Sequence, residues 1–97
     1  MSYKPLDSAA IDEALTSLPG WTFGDDAIKK TYRFGSFKEA ISFMVRIAFE
    51  AEALNHHPEW FNVYNRVEIT LRTHDAGDKV SEQDIKLARA IDRVAWV

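Results

Sequence analysis

The β-hairpin that decides the fold lies in residues 59–74, which read EWFNVYNRVEITLRTH. In its second half apolar and polar residues alternate, as expected for a strand with one buried face: Val67, Ile69, Leu71 and Thr73 against Glu68, Thr70, Arg72 and His74. Asn65-Arg66 separates this alternating run from the apolar stretch that precedes it. The sequence therefore predicts strands over residues 61–64 and 67–73, joined by a turn at 65–66.

A second hairpin is expected earlier in the chain. Residues 21–23, WTF, have the composition of a brief strand, and Gly24-Asp25-Asp26 is typical of a turn. In the strand predicted over residues 27–34, one parity is apolar and the other polar: Ile28, Tyr32 and Phe34 against Lys29, Thr31 and Arg33. Lys30 is the exception, because it falls on the apolar side.

A long amphipathic helix is predicted between the hairpins, starting from a capping box of Ser36 and Glu39 and running to about Leu54. The expected apolar stripe is Phe37, Ala40, Ile41, Met44, Ile47, Ala48, Ala51 and Leu54, and the opposite face is Glu39, Ser42, Arg46 and Glu50. Three more apolar residues widen the stripe and would serve a second contact, such as a subunit interface: Phe43, Val45 and Phe49.

Shorter helices are expected at both ends of the chain. The first is capped by Asp7 or Ser8 and stopped by Pro19-Gly20, and the last begins with a capping box of Ser81 and Asp84. The element order is then αββαββα. This order predicts an α+β two-layer sandwich, with a four-stranded, mainly antiparallel sheet and the helices packed on one face.

Composition limits the classes of function. The chain has 97 residues, and residues 1–97 are expected to form one domain. A net charge of -3 argues against a phosphate-backbone binder, so no direct nucleic-acid binding is expected, and the absence of cysteine excludes thiolate chemistry. No apolar segment has the length of a signal peptide or a membrane span, so we expect a cytoplasmic protein without membrane contact. The small core and the wide apolar helix face favour a homodimer or homotetramer.

The three histidines are the candidate chemical groups. His56 and His57 follow the long helix, and His74 ends the predicted hairpin. Imidazole both donates and accepts protons near neutral pH, which makes these residues candidates for general acid–base catalysis. A helix-terminal histidine that only contacts the last carbonyls is the alternative. A zinc site is a weaker alternative, because adjacent histidines project differently and no H-E-x-x-H motif is present.

The segment from Glu52 to Asp84 resembles the pterin-4a-carbinolamine dehydratase family. The family pattern is an acid, three residues, His-His-Pro, an aromatic, a histidine and an aspartate, and every position is filled: Glu52, His56, His57, Pro58, Tyr64, His74 and Asp84. The resemblance covers about residues 34–95, and Trp21 fits the N-terminal part. It implies the same αββαββα fold and a substrate, 4a-hydroxytetrahydropterin, which aromatic amino acid hydroxylases release and which is dehydrated to quinonoid dihydropterin and water. The reaction involves no redox change, so the resemblance implies neither a cofactor nor a metal.

The resemblance also implies roles for individual residues. His56 and His74 would exchange protons with the 4a-hydroxyl and N5, while His57 would position the ring or act as a base. Asp84 would support the site, with helix capping as its alternative role. The implied substrate-binding set is Glu52, Pro58, Trp21, Trp60, Thr73 and Asp75. Within this set Glu52 orients an imidazole or binds the amino-pyrimidine edge, with helix packing as its alternative role. The tryptophans stack on the pterin or fill the core, and Pro58, like Tyr64, is mainly scaffold.

Two other functions fit the same resemblance. Animal members of the family also bind a homeodomain transcription factor through a helix, so the chain could be a protein-binding module and dimerisation cofactor. It could also be a pterin-binding regulator of a partner aromatic amino acid hydroxylase. The complete histidine set favours the enzyme over both.

Overall fold

The chain folds as two β-hairpins and three helices in the predicted order. A computed structural model describes residues 3–96, and the element bounds are α1 Ser8–Leu15, β1 Thr22–Gly24, β2 Ala27–Arg33, α2 Phe37–Leu54, β3 Glu59–Val63, β4 Arg66–Leu71 and α3 Glu82–Ala95. The only further helical element in these residues is a 3₁₀ turn, His74–Ala76. The expected αββαββα order is therefore confirmed.

The four strands form one antiparallel sheet in the order β1-β2-β4-β3. The two central strands, β2 and β4, pair over six positions, from Ile28 opposite Leu71 to Arg33 opposite Arg66. Val67, Ile69 and Leu71 are buried while the residues between them are only half buried, so one face of the sheet carries the core. All three helices contribute buried side chains to that core, which confirms the α+β sandwich.

The ends of two strands differ from the sequence prediction. β3 begins at Glu59 rather than at residue 61, and its first residue pairs with Thr70. β4 ends at Leu71 rather than at residue 73, because Thr73 instead makes an isolated bridge with Lys79. His74 therefore lies in the 3₁₀ turn after the strand and not at its end.

The predicted buried face of α2 was partly wrong. Its buried residues are Ala40, Phe43, Ile47 and Ala51, so Phe43 lies in the core and provides no second contact. Phe37 and Ile41, which were expected in the core, are 50% and 37% exposed. Together with Val45 and Phe49 they form an exposed row at four-residue spacing, called here the α2 apolar row.

The caps of α2 and α3 follow the sequence closely. Ser36 accepts a hydrogen bond from the Glu39 amide, but the Glu39 carboxylate accepts from the Gly35 amide at 2.7 Å instead of closing the box on Ser36. The box of Ser81 and Asp84 at the start of α3 is complete. Val80 and Ile85, which flank it, are both buried, as a hydrophobic staple requires.

Lys30, the apparent exception in β2, faces the helices and has a partner there. Its Nζ lies 3.0 Å from the Asp92 carboxylate in α3. The same carboxylate accepts hydrogen bonds from the Trp21 indole, at 3.2 Å, and from the Tyr32 hydroxyl. Burial raises the pKa of Tyr32, and the hydrogen bond and negative charge of Asp92 raise this pKa further. This cluster ties the end of α3 to the central strand β2.

None of the helices in residues 3–96 combines the length and the hydropathy needed to cross a bilayer.

Candidate active site

The three histidines line one cavity at the end of the sheet. Its volume is about 260 Å³, and its lining is Tyr3, Asn55, His56, His57, Arg72, Thr73, His74 and Asp75. A somewhat larger cavity, of about 320 Å³, contains Arg33, Arg46 and Trp96 but no histidine. Chemistry rather than size therefore identifies the histidine cavity as the candidate site.

Local backbone geometry brings the two chain segments together. Asn55 ends α2 in the left-handed conformation, with φ of 50°, so His56 and His57 leave the helix in a sharp turn. Pro58 then disfavours helical geometry at His57 and directs the chain into β3. On the other side, the 3₁₀ turn that carries His74 is closed by Gly77 at φ of 77°.

His56 belongs to a buried polar network. Its Nε2 lies 2.6 Å from Oδ1 of Asp84, which is fully buried. The other oxygen of Asp84 accepts from the Thr73 hydroxyl at 2.8 Å and from the Ser81 amide at 2.9 Å. The Thr73 and Ser81 hydroxyl oxygens are 2.5 Å apart. Burial of a carboxylate is tolerated here because its oxygens have hydrogen-bond partners.

His57 and His74 are paired with carboxylates at the surface. Nε2 of His57 lies 2.7 Å from the Glu52 carboxylate, and both side chains are mostly exposed. Nδ1 of His74 lies 3.0 Å from Asp78, and its side chain is 91% exposed. The hydrogen bond to Asp78, then the charges of Asp78 and Asp75, raise the pKa of His74 above its ordinary value. Negative charge therefore favours the protonated, proton-donating form of His74.

The structure brings most of the predicted site residues together. Thr73 and Asp75 line the cavity with the histidines, while Glu52 reaches it through His57. Pro58 is half buried beside the histidine pair and does not line the cavity. Thr73 needs a correction, because its hydroxyl is buried and already bonded to Asp84 and Ser81, so it is not free to contact a substrate.

The two predicted stacking residues are not at the cavity. Trp21 is 4% exposed, and its indole nitrogen is bonded to Asp92, so it takes the core-filling role. Trp60 lies opposite Ile69 on the helix side of the edge strand β3, and it is 40% exposed. The folded chain therefore offers neither ring to a ligand among the three histidines.

Sequence reasoning missed several residues of the site. Asp78 is bonded to Nδ1 of His74. A spacing of four residues predicts a side-chain contact only within a helix, and a loop was expected over these residues. Ser81 was identified as a helix cap and not as part of the His56 network. Arg72 lines the cavity with its guanidinium held by Glu59 at 2.9 Å, and its place in an alternating strand gave no sign of this.

The donor set does not resemble a metal centre. Within residues 3–96 no cluster of three or more histidine, aspartate or glutamate side chains has the arrangement that could hold a metal ion. Each histidine is instead paired with its own carboxylate. This pairing suits proton transfer, because a carboxylate orients the imidazole ring and fixes which of its nitrogens carries the hydrogen.

An α+β sandwich that gathers three imidazoles around one cavity has the features of an acid–base enzyme. The chain belongs to the pterin 4 alpha carbinolamine dehydratase family, whose sequence profile matches residues 4–94. A relative from Opitutus terrae, named as a candidate pterin-4-alpha-carbinolamine dehydratase, is 61% identical over 95% of each chain. A relative of the same name from Rhizobium meliloti is 54% identical over 98% of this chain and 92% of its own.

A crystal structure supports the fold assignment. It is described as a transcriptional coactivator/pterin dehydratase from Brucella melitensis, and it superimposes with a TM-score of 0.90 at 45% identity. The match covers 95% of this chain and 99% of the Brucella chain. The family resemblance inferred from the motif around His56 and His57 is therefore confirmed.

Proposed function

We propose that this protein is a carbon–oxygen lyase that dehydrates 4a-hydroxytetrahydropterin to quinonoid dihydropterin. The observation that carries the proposal is the convergence of His56, His57 and His74, from two separate chain segments, on one cavity. Membership of the dehydratase family supports it. In the reaction the C4a–O bond breaks, the oxygen takes a proton and leaves as water, and N5 loses its proton as the C4a=N5 bond forms.

His74 is proposed as the proton donor to the leaving hydroxyl. Asp78 and Asp75 favour its protonated form, and with Nδ1 bonded to Asp78 the Nε2–H remains to face the substrate. His56 is proposed as the base that takes the proton from N5. Its Nε2 is bonded to the buried Asp84 carboxylate, which fixes the orientation of the ring. General acid–base catalysis of this kind typically contributes about 10²–10⁴-fold to the rate.

His57 and Glu52 are proposed to bind the substrate. The pair is exposed at the cavity edge, with its two partners 2.7 Å apart. A carboxylate is suited to accept hydrogen bonds from the amino-pyrimidine edge of a pterin, so Glu52 would contact that edge while His57 positions the ring. Asp75, which also lines the cavity, would supply a further polar contact.

The biological setting follows from the substrate. The hydroxylated pterin is the product that aromatic amino acid hydroxylases release, so the proposed role is recycling of tetrahydropterin in the cytoplasm. The elimination transfers protons and involves no net oxidation or reduction. We therefore propose that it needs neither a cofactor nor a metal.

The test is the loss of absorbance of a freshly generated 4a-hydroxytetrahydropterin, with and without the protein. The expected result is decay that accelerates in proportion to protein concentration. The control is a folded His56→Ala/His74→Ala double variant, which should leave the uncatalysed rate nearly unchanged. Equal acceleration by the wild type and the double variant, or none by either, would refute the proposal.

The α2 apolar row is proposed as the contact with a second copy of the chain. Phe37, Ile41, Val45 and Phe49 are 50%, 37%, 51% and 73% exposed, and their four-residue spacing aligns them along one side of the helix. A continuous apolar row of this kind is unusual on a monomer and is self-complementary across a two-fold axis. We therefore propose a homodimer or homotetramer.

The same row supports a second candidate function. The Brucella relative is described as a coactivator as well as a dehydratase, and a coactivator needs a surface for a protein partner. A transcription factor or hydroxylase segment with an apolar helix would fit the α2 apolar row. Such a partner would compete with self-association, so it would bind best to the dissociated chain.

A further inference from the structure

The hydrogen atoms of the buried network can be assigned by counting donors and acceptors. A carboxylate only accepts, so the contact of Thr73 with Asp84 uses the single hydrogen of the Thr73 hydroxyl. The Thr73 oxygen can then only accept in its 2.5 Å contact with Ser81, and the Ser81 hydroxyl must donate. The hydrogen bonds therefore run in one direction, from Ser81 to Thr73 to Asp84.

The same count fixes the protonated nitrogen of His56. Oδ1 of Asp84 is 2.6 Å from Nε2, so Nε2 must carry the hydrogen. In the neutral ring the acceptor lone pair then lies on Nδ1. Nδ1 makes no hydrogen bond within residues 3–96. It is also accessible, because the buried side-chain atoms without a partner in these residues do not include it. It is consequently the ring nitrogen that a ligand in the cavity can reach.

The framework around Thr73 is rigid. Its amide donates to the Lys79 carbonyl at 2.9 Å, and its carbonyl accepts from the amides of Ala76 and Asp78, both at 3.1 Å. Thr73 is 2% exposed, so water cannot easily replace its hydroxyl. Thr73, together with the Ser81 amide, thereby fixes the rotation of the Asp84 carboxylate, and the carboxylate fixes the plane of the His56 ring.

We infer that the buried hydroxyls of Thr73 and Ser81, acting through Asp84, hold His56 in the tautomer that presents Nδ1 to the cavity. Thr73 is thus a positioning residue for the proposed dehydration, and Nδ1 of His56 is the atom that accepts the substrate proton. The inference rests on the proposed function for its catalytic part only. The tautomer and the role of Thr73 in maintaining it are properties of the free protein.

The substitution that tests this inference is Thr73→Val, which keeps the shape of the side chain and removes the hydroxyl. Thr73→Ser restores the hydroxyl. Thr70→Val is the matched control, because Thr70 lies three residues earlier in β4, is half buried on the open face of the sheet, and makes no side-chain hydrogen bond within residues 3–96. Ser81 is left unchanged, since it also caps α3.

Two readouts separate positioning from a merely structural role. Thr73→Val should lower kcat by about 10–100-fold, part of the range for acid–base groups, and leave KM within about twofold. Thr73→Ser and Thr70→Val should keep kcat within about threefold of wild type, below the loss expected for an acid–base group. Nitrogen-15 NMR of the neutral ring should show His56 protonated at Nε2 in the wild type and a mixture of tautomers in Thr73→Val.

The outcomes distinguish this inference from the proposed function. A wild type that is inactive, but whose His56 tautomer responds to Thr73→Val, would refute the dehydratase and retain the positioning role. An active wild type with kcat and tautomer unchanged in Thr73→Val would refute the positioning role and retain the dehydratase. Wild-type His56 protonated at Nδ1 would overturn the inference even if Thr73→Val does not fold.

Discussion

The Tyr32 hydroxyl should make the stability of this protein fall at alkaline pH. Tyr32 is 3% exposed, and its hydroxyl donates a hydrogen bond to the Asp92 carboxylate. The same carboxylate also accepts hydrogen bonds from Lys30 and Trp21. Ionising this tyrosine would place a second negative charge beside Asp92 in a buried cluster. Burial first, and Asp92 second, therefore raise the pKa of Tyr32 above the ordinary value of 10.0.

The sign of the effect follows from proton binding. Above pH 10 a tyrosine of the unfolded chain loses its proton, while folded Tyr32 retains it, so the unfolded state is favoured as pH rises. The stability due to this group is complete below pH 10. It is then lost at about 1.4 kcal/mol per pH unit, or about 2.7 kcal/mol at pH 12. This loss is a substantial part of the roughly 5–15 kcal/mol by which a domain is stable.

The perturbation is Tyr32→Phe, which keeps the ring in the core and removes the ionisable group. At neutral pH the variant should be less stable by about 1.5 kcal/mol, the contribution of one hydrogen bond to a charged acceptor. Because the variant does not share the alkaline loss of the wild type, the two stabilities should cross near pH 11, and at pH 12 the variant should be more stable by about 1 kcal/mol.

The assay is urea unfolding followed by circular dichroism at half-unit steps from pH 7 to pH 12. Protein concentration is held fixed, because self-association would shift the apparent stability. Tyr64→Phe is the control, since Tyr64 is 62% exposed. Its stability should follow the wild type throughout. Parallel curves for the wild type and Tyr32→Phe up to pH 12 would show that the Tyr32 proton is not held by the fold.

Three shorter predictions concern the site and the surface. His56→Ala and His74→Ala should each lower turnover by about 10–10³-fold, and the double variant should lose nearly all of it. His74→Ala should change stability little, whereas His56→Ala should cost about 1–3 kcal/mol because it leaves an oxygen of buried Asp84 without its partner. Wild-type turnover in a folded double variant would contradict these roles. Prolonged treatment with EDTA should leave turnover unchanged, and activity that disappears and returns with zinc would overturn the acid–base scheme. Phe49→Glu should dissociate the oligomer, because it places a charge in the α2 apolar row. Lys38→Glu, at an exposed polar position of the same helix, should not dissociate it. Light scattering that gives an 11.1 kDa species for the wild type would refute the interface.

Local signals in the sequence were sufficient for most of the fold. The alternation around Val67 to Leu71 predicted the central strand β4, and the caps at Ser36 and Ser81 predicted where α2 and α3 begin. Such signals are strong because they depend on neighbouring residues alone. A helix cap needs only a side-chain oxygen three positions before a backbone amide, and a half-buried strand needs only apolar residues at every second position. The end of α2 at Leu54 also had a local signal, because Pro58 disfavours helical geometry at the residue before it.

The orientation of α2 could not be predicted with the same certainty. Apolar residues surround most of this helix, so its sequence fits several buried faces equally well. The choice depends on the partner surface: Phe43 packs against Tyr32 and Phe34, with ring centroids 4.7 and 4.8 Å apart. Phe37 and Ile41 are exposed as a consequence. The pairing of Trp21 with Asp92, 71 residues later in the chain, had no local signal either.

The site divides into a rigid half and a solvent-exposed half, and the proposed chemistry needs both. In the proposed scheme each turnover protonates His56 and deprotonates His74, so both rings must be reset before the next substrate binds. The side chain of His74 is 91% exposed and recovers its proton directly from water, while Asp78 keeps it oriented. His56 is 11% exposed and reaches solvent through the cavity at Nδ1, because Nε2 is occupied by Asp84. A base at a fixed position and an acid in contact with water are therefore complementary parts of one cycle.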